Sequence, residues 1–527
     1  MDGVPALMVA ERKQSDPVII SGGMGIAMSY WGLARAVSMM GGLGVVSGMA
    51  LDVVCARRLQ LGDPDGQIRL AFAALVSRYP QLAEPIERLI ARYFIAGGKR
   101  LHQSYRGPSA TRLQQVSSHS EDGHCLWELP LDMQVFTIAA TFAEVWLAKK
   151  GHHGKVGINF LRKVDRPLPW ALYGALLADV DYVLVGAGRP SELPRMIERL
   201  RAHETVELAL AVQGAGTQTP SHAVVIQPRK LLGDTLTPLN PTKLLAIVSS
   251  HQLAQVLAED PETRPYGFVV ENPTAGGHNA PPSMKHFNEK REPLLLYGAE
   301  DKARVDLIAK IGLPFWLAGS YGRPEKLNEA FAMGAAGIQI GTLAALSGQS
   351  AMASSVRRQA LSLLSKGELR VQADPRLSST GFPFKVAQLP GTLSDAGVYS
   401  RRTRVCDVGL LQSAYITVDG SVSFRCPAEP VESYLHKGGK LQSTVGRGCL
   451  CNGLLASVGL AQTRSNGYVE PPLVTLGDDL TGAGELLREV PPGKETYSIG
   501  SALRYLQRGA RDLREAGLPE CRIGNAR

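Results

Sequence analysis

The sequence predicts an α/β barrel, a (β/α)8 or TIM barrel, with a helical insertion and a mixed α+β extension at its C-terminal end. Three observations carry this. Apolar runs of strand length alternate with segments of helical periodicity from about residue 17 to residue 342. Eight such runs occur, at 17–20, 43–46, 155–160, 181–185, 244–248, 266–270, 314–318 and 337–341. Most exit into glycine or a small polar residue, as strands do where they reach the mouth of a barrel. A doubly wound open sheet fits less well, because Gly22-Gly23-Met24-Gly25 after the first run is not the G-x-G-x-x-G turn of that class.

The first unit is a βαβ: the strand at 17–20, a glycine-rich loop, a helix over 29–40 stopped by Gly41-Gly42, and the strand at 43–46. From 52 to 100 the periodicity is purely helical, and 101–130 is polar enough to predict a long loop. The block 60–130 therefore reads as an insertion between barrel strands, whether lid, dimer contact or padding. Helix and strand alternate again from 135, with helices expected over 136–147, 170–177, 190–203, 251–257, 300–311 and 324–333. The runs 206–212 and 223–226 flank a Gly/Thr/Pro/Ser-rich loop and predict an extra hairpin outside the barrel count. Residues 1–385 are taken as the barrel and 386–527 as an extension.

Composition excludes several classes. The chain has 527 residues, 44% hydrophobic and 20% charged, so it is long enough for a large core. The longest uncharged apolar stretch, 36–51, is broken by four glycines and predicts no membrane span. Seven cysteines, with no leader pattern at the N-terminus, suggest a reducing cytoplasm. A net charge of +9 with 6% aromatics lacks the dense basic and aromatic stripe of a nucleic-acid binder. The arginines at 357–358, 401–404 and 504–514 read as a solvated basic face, or as a rim attracting an anionic substrate or an acidic carrier protein.

Chemistry concentrates at the later strand ends. After the run at 266–270 comes Ala275-Gly276-Gly277-His278, where the glycines can take positive φ and one imidazole follows directly. Gly319-Ser320 and Gly341-Thr342 follow the last two runs and open helices, the arrangement in which such barrels bind phosphate through backbone N–H groups. Together with 17–24 and Val156-Gly157-Ile158-Asn159, these segments resemble the nitronate monooxygenase (2-nitropropane dioxygenase-like) family. That family consists of FMN-dependent TIM barrels and includes FMN-dependent enoyl-acyl-carrier-protein reductases. The resemblance covers about 15–75 and 135–385.

The resemblance implies FMN as cofactor. Gly22, Gly23 and Met24 would lie along the isoalloxazine, and Asn159 and Glu271 would meet its polar edge. Gly276 would approach the ring or phosphate, while Gly319, Ser320, Gln339, Ile340, Gly341 and Thr342 would cradle the phosphate. His278 would be the catalytic residue, titrating near neutrality and acting as base on a nitroalkane or as donor to a bound anion. Three positions depart from the family pattern. Glu271 replaces the usual Gln, Ser320 replaces a Gly and is expected at negative φ, and Asn279-Ala280-Pro281-Pro282 makes a stiff exit after the histidine.

The implied activity is oxidation of nitronates or nitroalkanes with O₂. The rivals are NAD(P)H-dependent reduction of an enoyl thioester or a quinone, and a non-catalytic flavin-binding interaction protein. The segment 378–384 is expected to cross back over the barrel mouth. Cys406, Cys426, Cys449 and Cys451 lack the paired C-x₂-C spacing of zinc ribbons and read first as small buried thiols, with a metal site or a regulatory disulfide as the alternatives. No G-x-S-x-G elbow supports a serine hydrolase. The stretch 490–527 is expected to be a helical, Arg-rich surface element.

Overall fold

The computed structural model describes residues 16–108, 113–119, 123–214, 221–289 and 293–508. Eight strands close into a parallel barrel: β1 (Ile19–Ser21), β2 (Leu43–Ser47), β3 (Val156–Leu161), β4 (Tyr182–Gly186), β5 (Lys243–Val248), β6 (Gly267–Glu271), β7 (Phe315–Ala318) and β8 (Gly337–Ile340). Each strand pairs with its neighbours in chain order, and β8 returns to β1 with Ile19 opposite Ile338 and Ser21 opposite Ile340. Every strand ends within two residues of its sequence-based bounds. Gly337 permits one of the close approaches, since a Cβ there would fall 1.9 Å from the carbonyl oxygen of Val18.

The barrel interior is packed rather than hollow. Ile20, Val45, Leu184, Leu245, Val269 and the fully buried Trp316 fill it, and the Trp316 indole N–H donates to the carbonyl of Pro17 at 2.6 Å. At its N-terminal end Asp16 accepts from Tyr182 (2.8 Å), Tyr266 (2.6 Å) and Lys243 (2.7 Å). That end is closed by paired polar groups, which leaves the C-terminal strand ends for chemistry.

The helix Leu131–Lys149 is long and apolar enough to cross a membrane, and most of it is buried in the protein interior. It packs on Leu168–Leu177, Trp31–Met39 and Gln67–Arg78, so its apolarity is that of a core helix hydrophobic all round. The insertion supplies helices Gln67–Arg78 and Ala83–Tyr93. The long loop expected over 101–130 is corrected in part: Gln114–His119 and Cys125–Glu128 form antiparallel strands. Cys125 pairs with His222, which adds this pair to the hairpin of Val206–Leu210 and His222–Ile226. Partner strands supplied the order that the polar local sequence did not advertise. The helix expected over 300–311 is broken into a single turn, Ala299–Asp301, and a short helix, Val305–Ala309.

The C-terminal part folds against the barrel. Val371–Asp374 pairs with Phe384–Ala387, and the latter crosses the mouth: Lys385 N–H donates to Gly277 O (2.9 Å) and Asn279 N–H to Pro383 O (3.0 Å). Behind it runs 473–477, held by Ala387 N–H to Val474 O at 2.9 Å. A buried ion pair, Arg402–Glu470 at 3.2 Å, ties the extension to itself. Helix Ile499–Gln507 packs on Trp31–Met39 and Pro324–Ala332, and the rest of the tail expected to be helical, with Arg511 and Arg514, lies outside the described residues.

Candidate active site

Two adjoining cavities open at the C-terminal ends of the strands, and together they are lined by every site residue singled out from the sequence. The first, of about 150 Å³, lies over β7 and β8 and is lined by Gly22, Gly23, Met24, Glu271, Gly276, Gly319, Ser320, Gln339, Ile340, Gly341 and Thr342. The second, of about 350 Å³, adds Asn159 and His278 and shares Gly23, Glu271, Gly276 and Gln339 with the first.

The loop after β1 has glycines because two amide side chains lie over it. A Cβ on Gly23 would sit 2.4 Å from Asn159 Cβ, and one on Gly22 would sit 2.9 Å from Gln339 Cδ. Asn159 Oδ1 and Gln339 Oε1 are both buried without a hydrogen-bond partner. Buried amide oxygens are rarely left unpaired, so two at one cavity wall fit the polar edge of a ligand. At the other end a Cβ on Gly341 would meet only Met24 Sδ at 3.9 Å, which leaves the Gly341 backbone open to the cavity. Thr342 Oγ1 accepts from Gly477 N–H at 2.9 Å and keeps its own proton to donate. Orphaned amides at one end and an open, glycine-lined turn at the other are compatible with a flavin mononucleotide.

One expectation here is corrected. Ser320 has φ +63°, not a negative value, and follows Gly319 at φ +81°. Its hydroxyl donates to Thr274 Oγ1 at 2.9 Å, a local bond that offsets part of the left-handed strain of about 1–3 kcal/mol.

Glu271 and His278 keep some surface toward the cavity but are otherwise enclosed by protein. Burial raises the Glu271 carboxyl to about 7. Burial, with a smaller contribution from the Lys163 charge, lowers the His278 imidazole to about 3. The expectation of an imidazole titrating near neutrality is therefore corrected. Its Nε2 pairs with Ser378 Oγ at 2.8 Å and lies 3.3 Å from Thr380 Oγ1, and Phe384 meets the ring edge-on at 4.8 Å. A ring so enclosed stays neutral; it can orient a ligand but is a feeble base.

Several lining residues were not foreseen. Thr475, Leu476, Gly477, Asp479, Gly482 and Ala483 bring the extension into the first cavity. Gly276 is a glycine for their sake, because a Cβ there would lie 2.9 Å from the Leu476 carbonyl carbon. Gly277 N–H donates to Thr475 Oγ1 at 2.8 Å. The available signal was the Gly482-Ala483-Gly484 run, which opens the helix Thr481–Arg488. Asp479 brings a carboxylate to this wall, occupied by Thr481 N–H at 3.0 Å and by Arg323 at 3.7 Å. Lys163 and Phe382 line the second cavity. Cys451 lines it too, and with Cys406, Cys426 and Cys449 it surrounds a separate small void. Among the described residues no group of three or more His, Cys, Asp or Glu is placed to hold a metal ion.

No family model matches the chain. No curated protein sequence matches it either. Solved structures do. FabK from Thermotoga maritima matches at 14% identity over 97% of this chain and 100% of that one, with a TM-score of 0.45. The enoyl reductase domain of MlnA, from the macrolactin biosynthesis cluster of Bacillus amyloliquefaciens, matches at 11% identity, 97% and 99% coverage and a TM-score of 0.46. Nitroalkane oxidase from Streptomyces ansochromogenes matches at 13% identity, 94% and 96% coverage and a TM-score of 0.41. These are likenesses of fold alone.

Proposed function

We propose that the protein is an FMN-dependent oxidoreductase and that it reduces the C=C bond of an α,β-unsaturated thioester. The observation that carries the choice of substrate is the second cavity. It measures about 350 Å³, adjoins the Asn159–Gln339–Glu271 edge, and has aliphatic walls from Ile26, Met49, Leu161, Ile247, Leu411 and Leu454. Such walls suit an acyl chain. A nitroalkane oxidase would need a base to remove a proton, and a buried imidazole lowered to about 3 serves poorly.

Bound FMN would supply a two-electron carrier between a nicotinamide dinucleotide and the substrate. The protein's own part is to bind, orient and exclude water. Asn159 and Gln339 offer their unpaired amide oxygens to N–H groups of the ring edge. Glu271, raised to about 7, can donate a hydrogen bond when protonated and accept one when ionised. Backbone N–H groups at 319–320 and 341–342, with the Thr342 hydroxyl, would hold the phosphate. His278, fixed by Ser378, gives the acyl head a neutral polar wall. A thioester carried on an acyl carrier protein or on coenzyme A would enter past Phe382, which is 39% exposed at the cavity wall.

The second reading is nitronate oxidation. It is favoured by Lys163, whose ammonium could pair with an anion already deprotonated. The experiment is anaerobic: mix the holoprotein with NADPH or NADH, record bleaching of the flavin, then add crotonyl-coenzyme A. Return of the visible band with formation of butyryl-coenzyme A is expected. No return with crotonyl-coenzyme A, alongside rapid O₂ consumption on propionate 3-nitronate, would replace the first reading by the second.

A further inference from the structure

The wall of the second cavity contains a cation that neither the sequence motifs nor the flavin cradle accounts for. Lys163 follows β3 by two residues, four positions after Asn159, and lies half-buried against the void. Among the residues lining that cavity it is the one lysine or arginine. Its nitrogen sits 4.3 Å from the centroid of the Phe382 ring and makes one long hydrogen bond, 3.4 Å, to Thr380 Oγ1. No carboxylate neutralises it among the described residues. Asp165 is paired in charge with Arg166 and Arg162, and Arg162 bonds Glu192. An ammonium has three donors, and this one leaves most of its capacity facing the void.

The surroundings place that capacity near the reacting end of a substrate. Thr380 Oγ1 contacts Lys163 at 3.4 Å, His278 Nε2 at 3.3 Å and Ser378 Oγ at 2.7 Å. One hydroxyl thus joins the cation to the histidine, and the same cavity carries the Glu271 and Gln339 edge. The titratable groups that share the cavity wall with Lys163 are His278, Glu271 and Cys451, and Asp165, two positions along the chain, interacts with Arg166 and Arg162. Burial alone lowers its amine to about 8. A desolvated ammonium is costly to keep for packing, and the aliphatic stem would pack as well under a neutral tip.

We propose that the Lys163 ammonium holds the thioester carbonyl oxygen, and with it the negative charge that gathers there while the C=C bond is reduced. The inference rests on reading the site as an enoyl-thioester reductase. In that reaction a hydride equivalent, two electrons whose source is NAD(P)H, would form a C–H bond at Cβ, with bound FMN supplying the two-electron carrier. The C=C pair shifts to join Cα to the carbonyl carbon, and the carbonyl π pair moves onto oxygen. The oxyanion so formed lies against Lys163. When the C=O bond is restored, Cα takes up one proton, from Lys163 or from water exchanging with it. The product is the saturated thioester, and the sum is NAD(P)H plus one proton consumed per double bond. A positive donor placed where an oxyanion develops is worth most in a dry site.

The test compares wild type with Lys163→Met and Lys163→Arg, all as FMN-loaded full-length protein. Flavin content and circular dichroism establish folding. The rate at which crotonyl-coenzyme A restores the visible band of the pre-reduced protein is expected to fall by about 10²–10³-fold in Lys163→Met, as for loss of an oxyanion donor. In Lys163→Arg it should recover in part. The wild-type rate should decline above about pH 8, where the amine loses its proton, and Lys163→Arg should lack that decline. A readout free of turnover is reductive methylation at pH 7.5 followed by mass spectrometry. Lys163 should react ahead of the exposed lysines, and crotonyl-coenzyme A should protect it. A Lys163→Met protein that reoxidises at the wild-type rate, while wild type does reduce crotonyl-coenzyme A, overturns the role of Lys163 and leaves the function standing. A wild type that never reduces crotonyl-coenzyme A overturns the function and this role with it, even if methylation shows the amine facing the cavity.

Discussion

His278 and Glu271 titrate in opposite senses, and their effects on stability separate by pH. The imidazole is lowered from 6.5 to about 3, so between those values the unfolded chain binds the extra proton. Stability is then lost as pH falls from about 6.5 toward 3. The carboxyl is raised from 4.5 to about 7, so in that window the folded chain holds the extra proton. Its contribution is lost as pH rises from about 4.5 to 7. In flavin-free protein, His278→Asn should retain more of its neutral-pH stability at pH 4.5 than wild type does. Glu271→Gln should gain on wild type at pH 7 but not at pH 4.5. Each difference should reach a few kcal/mol, because every tenfold change in proton affinity on folding is worth about 1.4 kcal/mol. Melting temperatures of the three proteins across pH 4.5–7 decide it; parallel curves would mean that neither group is desolvated as the structure has it.

At the scale of elements, the pin of the extension is the Arg402–Glu470 pair, whose side chains are 2% and 0% exposed. Arg402 Nη2 and Glu470 Oε2 lack partners, so the pair is incompletely satisfied. Glu470→Ala strands a buried guanidinium and should cost about 3–5 kcal/mol, whereas replacing both residues with apolar ones of similar volume should cost far less. Urea titration of the single and double variants is the measurement; equal losses would refute the stranded-charge account. These same elements mark where the sequence was legible. Barrel strands announced themselves because short apolar runs with glycine exits have few other uses. The strands at 114–128 did not, because Gln114 and Gln115 give no strand signal until Cys125–Glu128, itself paired with His222–Ile226, offers an edge to pair with. On the barrel side the site was legible for the same local reason, glycines at strand ends. Its other wall was not: Thr475 meets Gly277 across 198 residues, and no short motif encodes that contact. The Ser320 backbone and the His278 titration were not legible for a related reason: Thr274, 46 residues away, bonds the Ser320 hydroxyl, and the burial that lowers His278 involves the distant Ser378 and Phe384.

The whole molecule is joined at the first cavity, where one wall comes from the barrel and the other from residues 475–483 of the extension. A ligand seated there touches both and so binds the assembled protein in preference to an unfolded or half-open one. By linkage it should stabilise the fold by about 2.7 kcal/mol at a free concentration one hundred times its dissociation constant. We therefore expect the protein to purify yellow, to release FMN on denaturation, and to melt at a higher temperature with added FMN than without. Proteolysis should report the same coupling, with bonds in the extension cut more slowly when FMN is present. Gly341→Asp supplies the control. The added side chain meets open cavity and not protein, with Met24 Sδ the nearest atom at 3.9 Å, so the variant should fold. Its carboxylate would face the phosphate, and like charges at close range in a partly dry site should abolish binding. The melting temperature of Gly341→Asp should then be indifferent to FMN, and its extension should be cut at the flavin-free rate. If FMN protected the extension equally in both proteins, the phosphate would not lie at Gly341. If it raised the melting temperature but left cleavage of the extension unchanged in wild type, the ligand would be held by the barrel alone.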